Sequence, residues 1–142
     1  MTPSRSRTLL LTTLTLLVST GCNMVEYRRN QLEKTYRAAG LSTHEVTLGE
    51  DTLHYWAGGD RDLPTVLLVH GFGASALWQW SGQVGPLAEE YRLIVPDLLW
   101  FGGSRSTKSD YSLDHQARAL LALLDHLGED RVHLVGLSYG GL

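Results

Sequence analysis

One cysteine, a deficit of basic residues and the lack of any long apolar run limit what this 142-residue chain can be. With Cys22 alone, no disulfide can form within it. Its 12 lysines and arginines against 15 carboxylates give a formal net charge of −3, which offers no basic face for nucleic acid. The one uncharged leucine-rich run, residues 8–20, falls short of the roughly 20 residues a helix needs to cross a bilayer. There is no phosphate loop, no G-x-G-x-x-G and no cluster of ligands at metal spacing, so no cofactor and no metal are expected. What the chain does have is glycine, 15 residues of it, several at the ends of apolar runs. That suits a fold with tight strand-to-helix turns.

The first residues read as a secretory signal. Arg5 and Arg7 give a positive start, residues 8–20 the apolar stretch, and the small residues Ser19, Thr20 and Gly21 precede Cys22. Ser19-Thr20-Gly21-Cys22 resembles the lipobox of bacterial lipoproteins, where a diacylglycerol is attached to the cysteine and the signal is cut just before it. Serine stands where leucine is common, with Val18 one position earlier. The resemblance implies an exported protein held at a membrane through Cys22, facing the periplasm or the cell surface. The alternative is an ordinary signal peptide, or an uncleaved anchor, with a coincidental cysteine. Residues 1–21 are thus read as signal, and 22–42 as a tether or short amphipathic helix ending at Gly40.

From residue 44 the pattern changes. Segments 44–48 and 52–56 alternate in part and flank Gly49-Glu50-Asp51, which predicts a hairpin. Thr65 to His70 is a continuous apolar run that fits a strand covered on both faces. Residues 78–90 read as one helix, 92–95 as a second buried strand, and 98–110 as a loop. Ser112 opens a helix on which Ala117, Leu120, Leu121, Leu124 and Leu127 recur at spacings of three and four, closed by Gly128. Residues 131–135 form the last strand. This order predicts an α/β fold, an initial hairpin followed by a mostly parallel sheet flanked by helices.

Three strand ends carry the chemistry. Gly136-Leu137-Ser138-Tyr139-Gly140 reads G-x-S-x-G after a buried strand, a context that lifts a serine hydroxyl clear of the sheet. His70-Gly71-Phe72-Gly73 follows the first buried strand, where a glycine turn aims backbone N–H groups at a developing oxyanion. Pro96-Asp97-Leu98, with Gly102 and Ser104, follows the second. Together these resemble the α/β-hydrolase superfamily, in particular its lipase, esterase and C–C-bond hydrolase branches, from about residue 44 to 142.

The resemblance implies a role for each matching position. Ser138 is the nucleophile, and the amides of Phe72 and Tyr139 are the oxyanion donors. Gly136 and Gly140 shape the elbow, His70 and Gly71 support the oxyanion turn, and Asp97 anchors its loop. His70 as base and Asp97 as triad acid are the weaker readings. His115, His126 and His133 are expected at the surface or in packing. One departure is Trp100, with Leu99 before it, where glycine and proline are usual. Tryptophan resists positive φ, which predicts a different loop path. Trp78, Trp80, Trp100 and Phe101 are candidates to line an apolar acyl or aromatic pocket.

In this superfamily the triad acid and histidine follow the nucleophile in sequence. Both are therefore expected beyond Leu142, so that 43–142 is the N-terminal half of the domain, inactive alone and prone to aggregate through its last strand. The expected activity of the whole is cleavage of small-molecule carboxylic esters through an acyl-enzyme. A C–C-bond hydrolase, a haloperoxidase-like member and a non-catalytic lipid-anchored binding protein remain alternatives. Serine at the elbow disfavours the epoxide hydrolase and haloalkane dehalogenase branches, which use aspartate there.

Overall fold

The computed structural model describes residues 24–142, so the signal and the Cys22 lipobox lie outside the described residues. The chain divides into two units between Gln31 and Leu32. A helix, α1, runs over residues 24–38. Its first part belongs to the first unit, while Leu32 and Tyr36 are buried in the core of the second. The second unit therefore starts at Leu32 rather than at the expected boundary of 43, because these two side chains fill its core. Among the described residues no helix is long and apolar enough to cross a membrane.

The hairpin is longer than its alternation suggested. β1 (Leu41–Leu48) and β2 (Asp51–Gly58) pair antiparallel throughout, from Leu41 opposite Gly58 to Leu48 opposite Asp51. β3 (Thr65–Val69) and β4 (Arg92–Pro96) are buried along their whole length, as strands covered on both faces must be. β6 (His133–Gly136) pairs parallel with β3, and β3 pairs parallel with β4. The sheet order is β1-β2-β4-β3-β6. A two-residue strand, β5 (Arg105–Ser106), pairs with β2 inside what reads in sequence as plain loop.

The expected single helix over 78–90 is two short ones, α2 (Ala76–Gln79) and α3 (Val84–Ala88). Ser81 and Gly82 fall in the break, where weak helix formers give way to a turn. Pro86 sits in the first turn of α3, where its missing N–H costs nothing. These helices and the part of α1 from Leu32 onward cover one face, packing Tyr36, Trp56, Leu68, Leu77, Trp80, Val84 and Val95 into one core. α4 (Leu113–Leu127) covers the other face with Ala119, Leu123 and Leu124 against Leu53, Leu67, Val69 and Ile94. It starts as expected, Ser112 capping the His115 amide, and ends at Gly128 with φ 71°.

Candidate active site

Ser138 stands where β6 runs into a 3-10 turn, Ser138–Gly141. Leu137 is extended and Ser138 has φ 53°. Left-handed backbone costs a residue with a side chain roughly 1–2 kcal/mol and survives only where its surroundings impose it. Two glycines supply that constraint. A Cβ at Gly136 would lie 2.0 Å from the carbonyl oxygen of Gly140. One at Gly140 would lie 2.5 Å from the carbonyl oxygens of both Val69 and His70. The turn is thus wound on itself and seated on the end of β3. The Leu137 amide donates to the Val69 carbonyl at 3.1 Å and the Gly140 amide to that of Leu137 at 2.9 Å. Ser138 is left exposed at the crest.

The His70-Gly71-Phe72-Gly73 turn lies against this elbow. A Cβ on Gly71 would be 3.4 Å from the Ser138 Cβ. Gly73 takes φ 75°, and the Ala74 amide donates to the Gly71 carbonyl at 3.4 Å. Among the described residues, no turn or loop hydrogen bond uses the Phe72 or Tyr139 amide as donor. The Phe72 ring is exposed and meets Phe101 and Tyr139 edge-on, at centroid distances of 5.4 and 6.1 Å.

His70 is fully buried with both ring nitrogens committed. The Leu98 amide donates to Nε2 at 2.9 Å, and so the proton sits on Nδ1, 2.8 Å from the Gly71 carbonyl. Burial pushes its pKa down, which keeps the ring neutral. A histidine so bonded has no lone pair to offer Ser138. Its hydrogen bonds join the turn after β3 to the loop after β4.

Asp97 is buried at the centre of that second loop. One carboxylate oxygen accepts from the Ala76 amide at 2.7 Å; the other accepts from the Gly103 amide and from His54 Nδ1, each at 2.9 Å. Burial works to raise its pKa, but these donors outweigh it and hold the group below the ordinary carboxylate value. The Ser104 hydroxyl donates to the Asp97 carbonyl at 2.7 Å. Asp97 hydrogen-bonds its own loop and the start of α2.

The tryptophans divide. Trp80 is buried in the core behind the sheet and Trp78 is partly exposed on α2. Trp100 corrects the sequence expectation. It takes φ 66°, so the loop does turn left-handed there with a bulky residue in place. Tyr111 and His115 hold its ring, at centroid distances of 4.5 and 5.6 Å. Phe101 reaches the site, against Phe72 and His70. Sequence reasoning missed His54, whose only signal is one polar residue inside the apolar run Leu53 to Ala57. It also missed the partners of His115, a buried histidine whose Nε2 meets both Asp51 oxygens, at 3.0 and 2.9 Å. The Gln116 side chain accepts from the Leu99 amide at 3.0 Å and donates to the Leu99 carbonyl at 3.2 Å, bonds that no local pattern announces.

A cavity of about 370 Å³ opens between α4 and the elbow, lined by Leu113, Ala117, Leu120, Leu134 and Tyr139 among others. Ser138, Phe72 and Phe101 are not among its walls; it is a seam between α4 and β6 that reaches Tyr139 and Gly140.

Residues 64–142, from just before β3 through the elbow, match the family of the alpha/beta hydrolase fold. The chain belongs to that family. It is 34% identical over 107 residues to epoxide hydrolase 4 of Mus musculus, covering 72% of this chain and 30% of that protein. Among solved structures it resembles a membrane phospholipase A described as a novel bacterial virulence factor, with 34% identity and TM-score 0.73 over 96% of this chain and 45% of that one. It also resembles a haloalkane dehalogenase loop variant from Bradyrhizobium elkanii, with 32% identity and TM-score 0.66 over 71% of this chain and 33% of that one. The chain spans less than half the length of each of these proteins.

Proposed function

We propose that this chain carries the nucleophile and oxyanion-binding half of a serine hydrolase acting on carboxylic esters. The observation that carries the reading is Ser138 itself: a non-glycine residue held at φ 53°, exposed, against a glycine turn whose Phe72 amide makes no turn or loop hydrogen bond. The Ser138 hydroxyl attacks the ester carbonyl, its proton passes to a base, and the developing oxyanion takes hydrogen bonds from the Phe72 and Tyr139 amides. The alcohol leaves with that proton and water then hydrolyses the acyl-enzyme. None of the histidine hydrogen bonds among the described residues reaches Ser138, and His70, His54 and His115 are each bonded elsewhere through both nitrogens. The base and its orienting carboxylate are therefore assigned to residues outside 24–142 in the whole protein.

The relatives are named for several chemistries. Serine rather than aspartate at the elbow favours acyl transfer, and the likeness to a membrane phospholipase A supports an ester with an apolar acyl group. A fluorophosphonate probe tests the assignment in the whole protein. Ser138 is labelled, and Ser138→Ala abolishes both labelling and ester turnover; labelling that survives the substitution refutes it. Export and lipid anchorage at Cys22 belong to the same proposal, on the strength of residues 1–22. Metabolic labelling with an alkynyl fatty acid marks the parent, and Cys22→Ser removes the mark.

A further inference from the structure

We propose that His54, on the hairpin and outside the recognised motifs, is a positioning residue for the oxyanion turn. This rests on the assignment of Ser138 as nucleophile. A continuous chain of hydrogen bonds leads from the hairpin to the site. The Thr43 hydroxyl lies 2.7 Å from His54 Nε2, and His54 Nδ1 lies 2.9 Å from the buried carboxylate of Asp97. Strand parity makes this chain accessible: Thr43 pairs with Trp56, so Thr43, His54 and Trp56 share one face of the hairpin. Asp97 uses its other oxygen to hold the Ala76 amide at 2.7 Å. Ala76 opens α2, directly after the turn that carries Phe72. The other end of that turn is held by His70 through the amide of Leu98, the residue next to Asp97.

The turn bearing the Phe72 amide is thus pinned at both ends, and one of the two pins is set by His54. His54 also packs on the loop itself: a Cβ on Gly103 would come 2.7 Å from its ring. Losing the Nδ1–H bond frees the Asp97 carboxylate to rotate toward water. The Ala76 and Gly103 amides follow it, and the Phe72 amide moves off the oxyanion position. The reacting serine is untouched. The effect therefore falls on the transition state and spares ground-state binding.

The test uses the whole protein, with ester kinetics, the maximal rate of fluorophosphonate labelling at Ser138, and thermal melting. His54→Ala is expected to lower kcat and the labelling rate about tenfold, part of the 10²–10³-fold loss typical of a deleted oxyanion donor, with KM changed less than about twofold. His54→Asn, whose amide donates from near the Nδ1 position, is expected to restore most of the rate. Thr43→Val, at an exposed strand position, is expected to cost about twofold to threefold in kcat. A folded His54→Ala with parental kcat overturns the inference. So does an Asn variant that melts like the parent but recovers no rate, since only ring volume would then matter. If His54→Ala does not fold, Thr43→Val decides: a parental kcat there overturns the inference too. Labelling absent from the parent overturns the serine assignment and this inference together, whereas labelling present but indifferent to His54 and Thr43 overturns this inference alone.

Discussion

Gly140→Ala should disarm the elbow while Gly141→Ala, one residue on, leaves it working. The difference is geometric. A methyl at Gly140 would be driven to 2.5 Å from two carbonyl oxygens, those of Val69 and His70, and 2.8 Å from the Val69 carbonyl carbon. All are backbone atoms at the end of β3, with no rotamer to turn aside. Restoring ordinary contact at about 3.4 Å needs a shift of roughly 0.9 Å, and close-packed strand ends do not yield that far. The elbow must lift instead, taking Ser138 and the Tyr139 amide with it. A misplacement of about 1 Å costs on the order of 10²-fold in rate. At Gly141 the added methyl would meet nothing nearer than the Gly136 carbonyl oxygen at 3.5 Å, an ordinary contact. Its expected effect is under about threefold. Both variants are to be made in the whole protein and compared by ester kcat/KM and by the rate of fluorophosphonate labelling, with melting curves alongside. If Gly140→Ala is labelled at the parental rate, or Gly141→Ala loses as much as Gly140→Ala, the elbow is not held as described.

Three further outcomes follow from the same coordinates. His115 gives one ring N–H to the Asp110 carbonyl and the other to the Asp51 carboxylate, bonds that hold its pKa above the ordinary histidine value against burial and the nearby Lys108. A raised folded-state value means its stabilisation is complete below about pH 6.5 and is lost as pH rises through that higher value, so Tm should fall on the alkaline side and His115→Gln should flatten that limb of Tm against pH. Phe72→Ala and Phe101→Ala each remove one member of an exposed edge-to-face contact; kcat/KM should fall about tenfold for hexanoyl and benzoyl esters and under about threefold for acetyl esters, and equal losses across the series would contradict an acyl-facing role. Residues 24–142 expressed alone should be poorly soluble because Leu134 and Val135 are 65% and 42% exposed on β6, and Leu134→Lys should raise the soluble fraction in a sedimentation assay.

What the sequence disclosed was whatever repeats locally. β3 and β4 were legible because unbroken apolar runs of that length fit a doubly covered strand, and α4 because its serine cap and terminal glycine mark both ends, although Ala117 and Leu121 of the expected apolar stripe are exposed and Ala119 and Leu123 are buried instead. The elbow was legible in part because Gly136 answers to a contact within five residues, its clash with Gly140, whereas Gly140 answers to Val69 and His70 on the distant β3 end. The rest depends on partners far apart in the chain. His54 and Asp97 are 43 residues apart, and His115 and Asp51 are 64 apart, so no local pattern marks either pair. β5 is invisible for the same reason: two residues have no period, and only β2 makes them a strand. Trp100 misled because local sterics argue against positive φ, whereas Tyr111 and His115, from beyond the loop, supply the ring contacts that compensate.

The distribution of strain picks out one end of the sheet, the end that carries Ser138, without any motif. Among the described residues only Trp100 and Ser138 combine a side chain with positive φ. One follows β4 and the other follows β6, the two strands that flank β3. The turn after β3 lies between them, tied to one side by the Leu98 amide on His70 and to the other by the Leu137 amide on Val69. At the opposite end of the same strands the stabilising contacts carry no such strain. There Glu129 accepts from Arg92 Nε and from the Thr65 hydroxyl, each at 2.8 Å, an ordinary polar clamp. Strained backbone persists only where packing and hydrogen bonds over-determine it, and both strained residues lie in loops that bond to or pack against the turn after β3. The carboxyl ends of β4, β3 and β6 thus form one mechanical unit, in which shifting any of the three loops must disturb the other two.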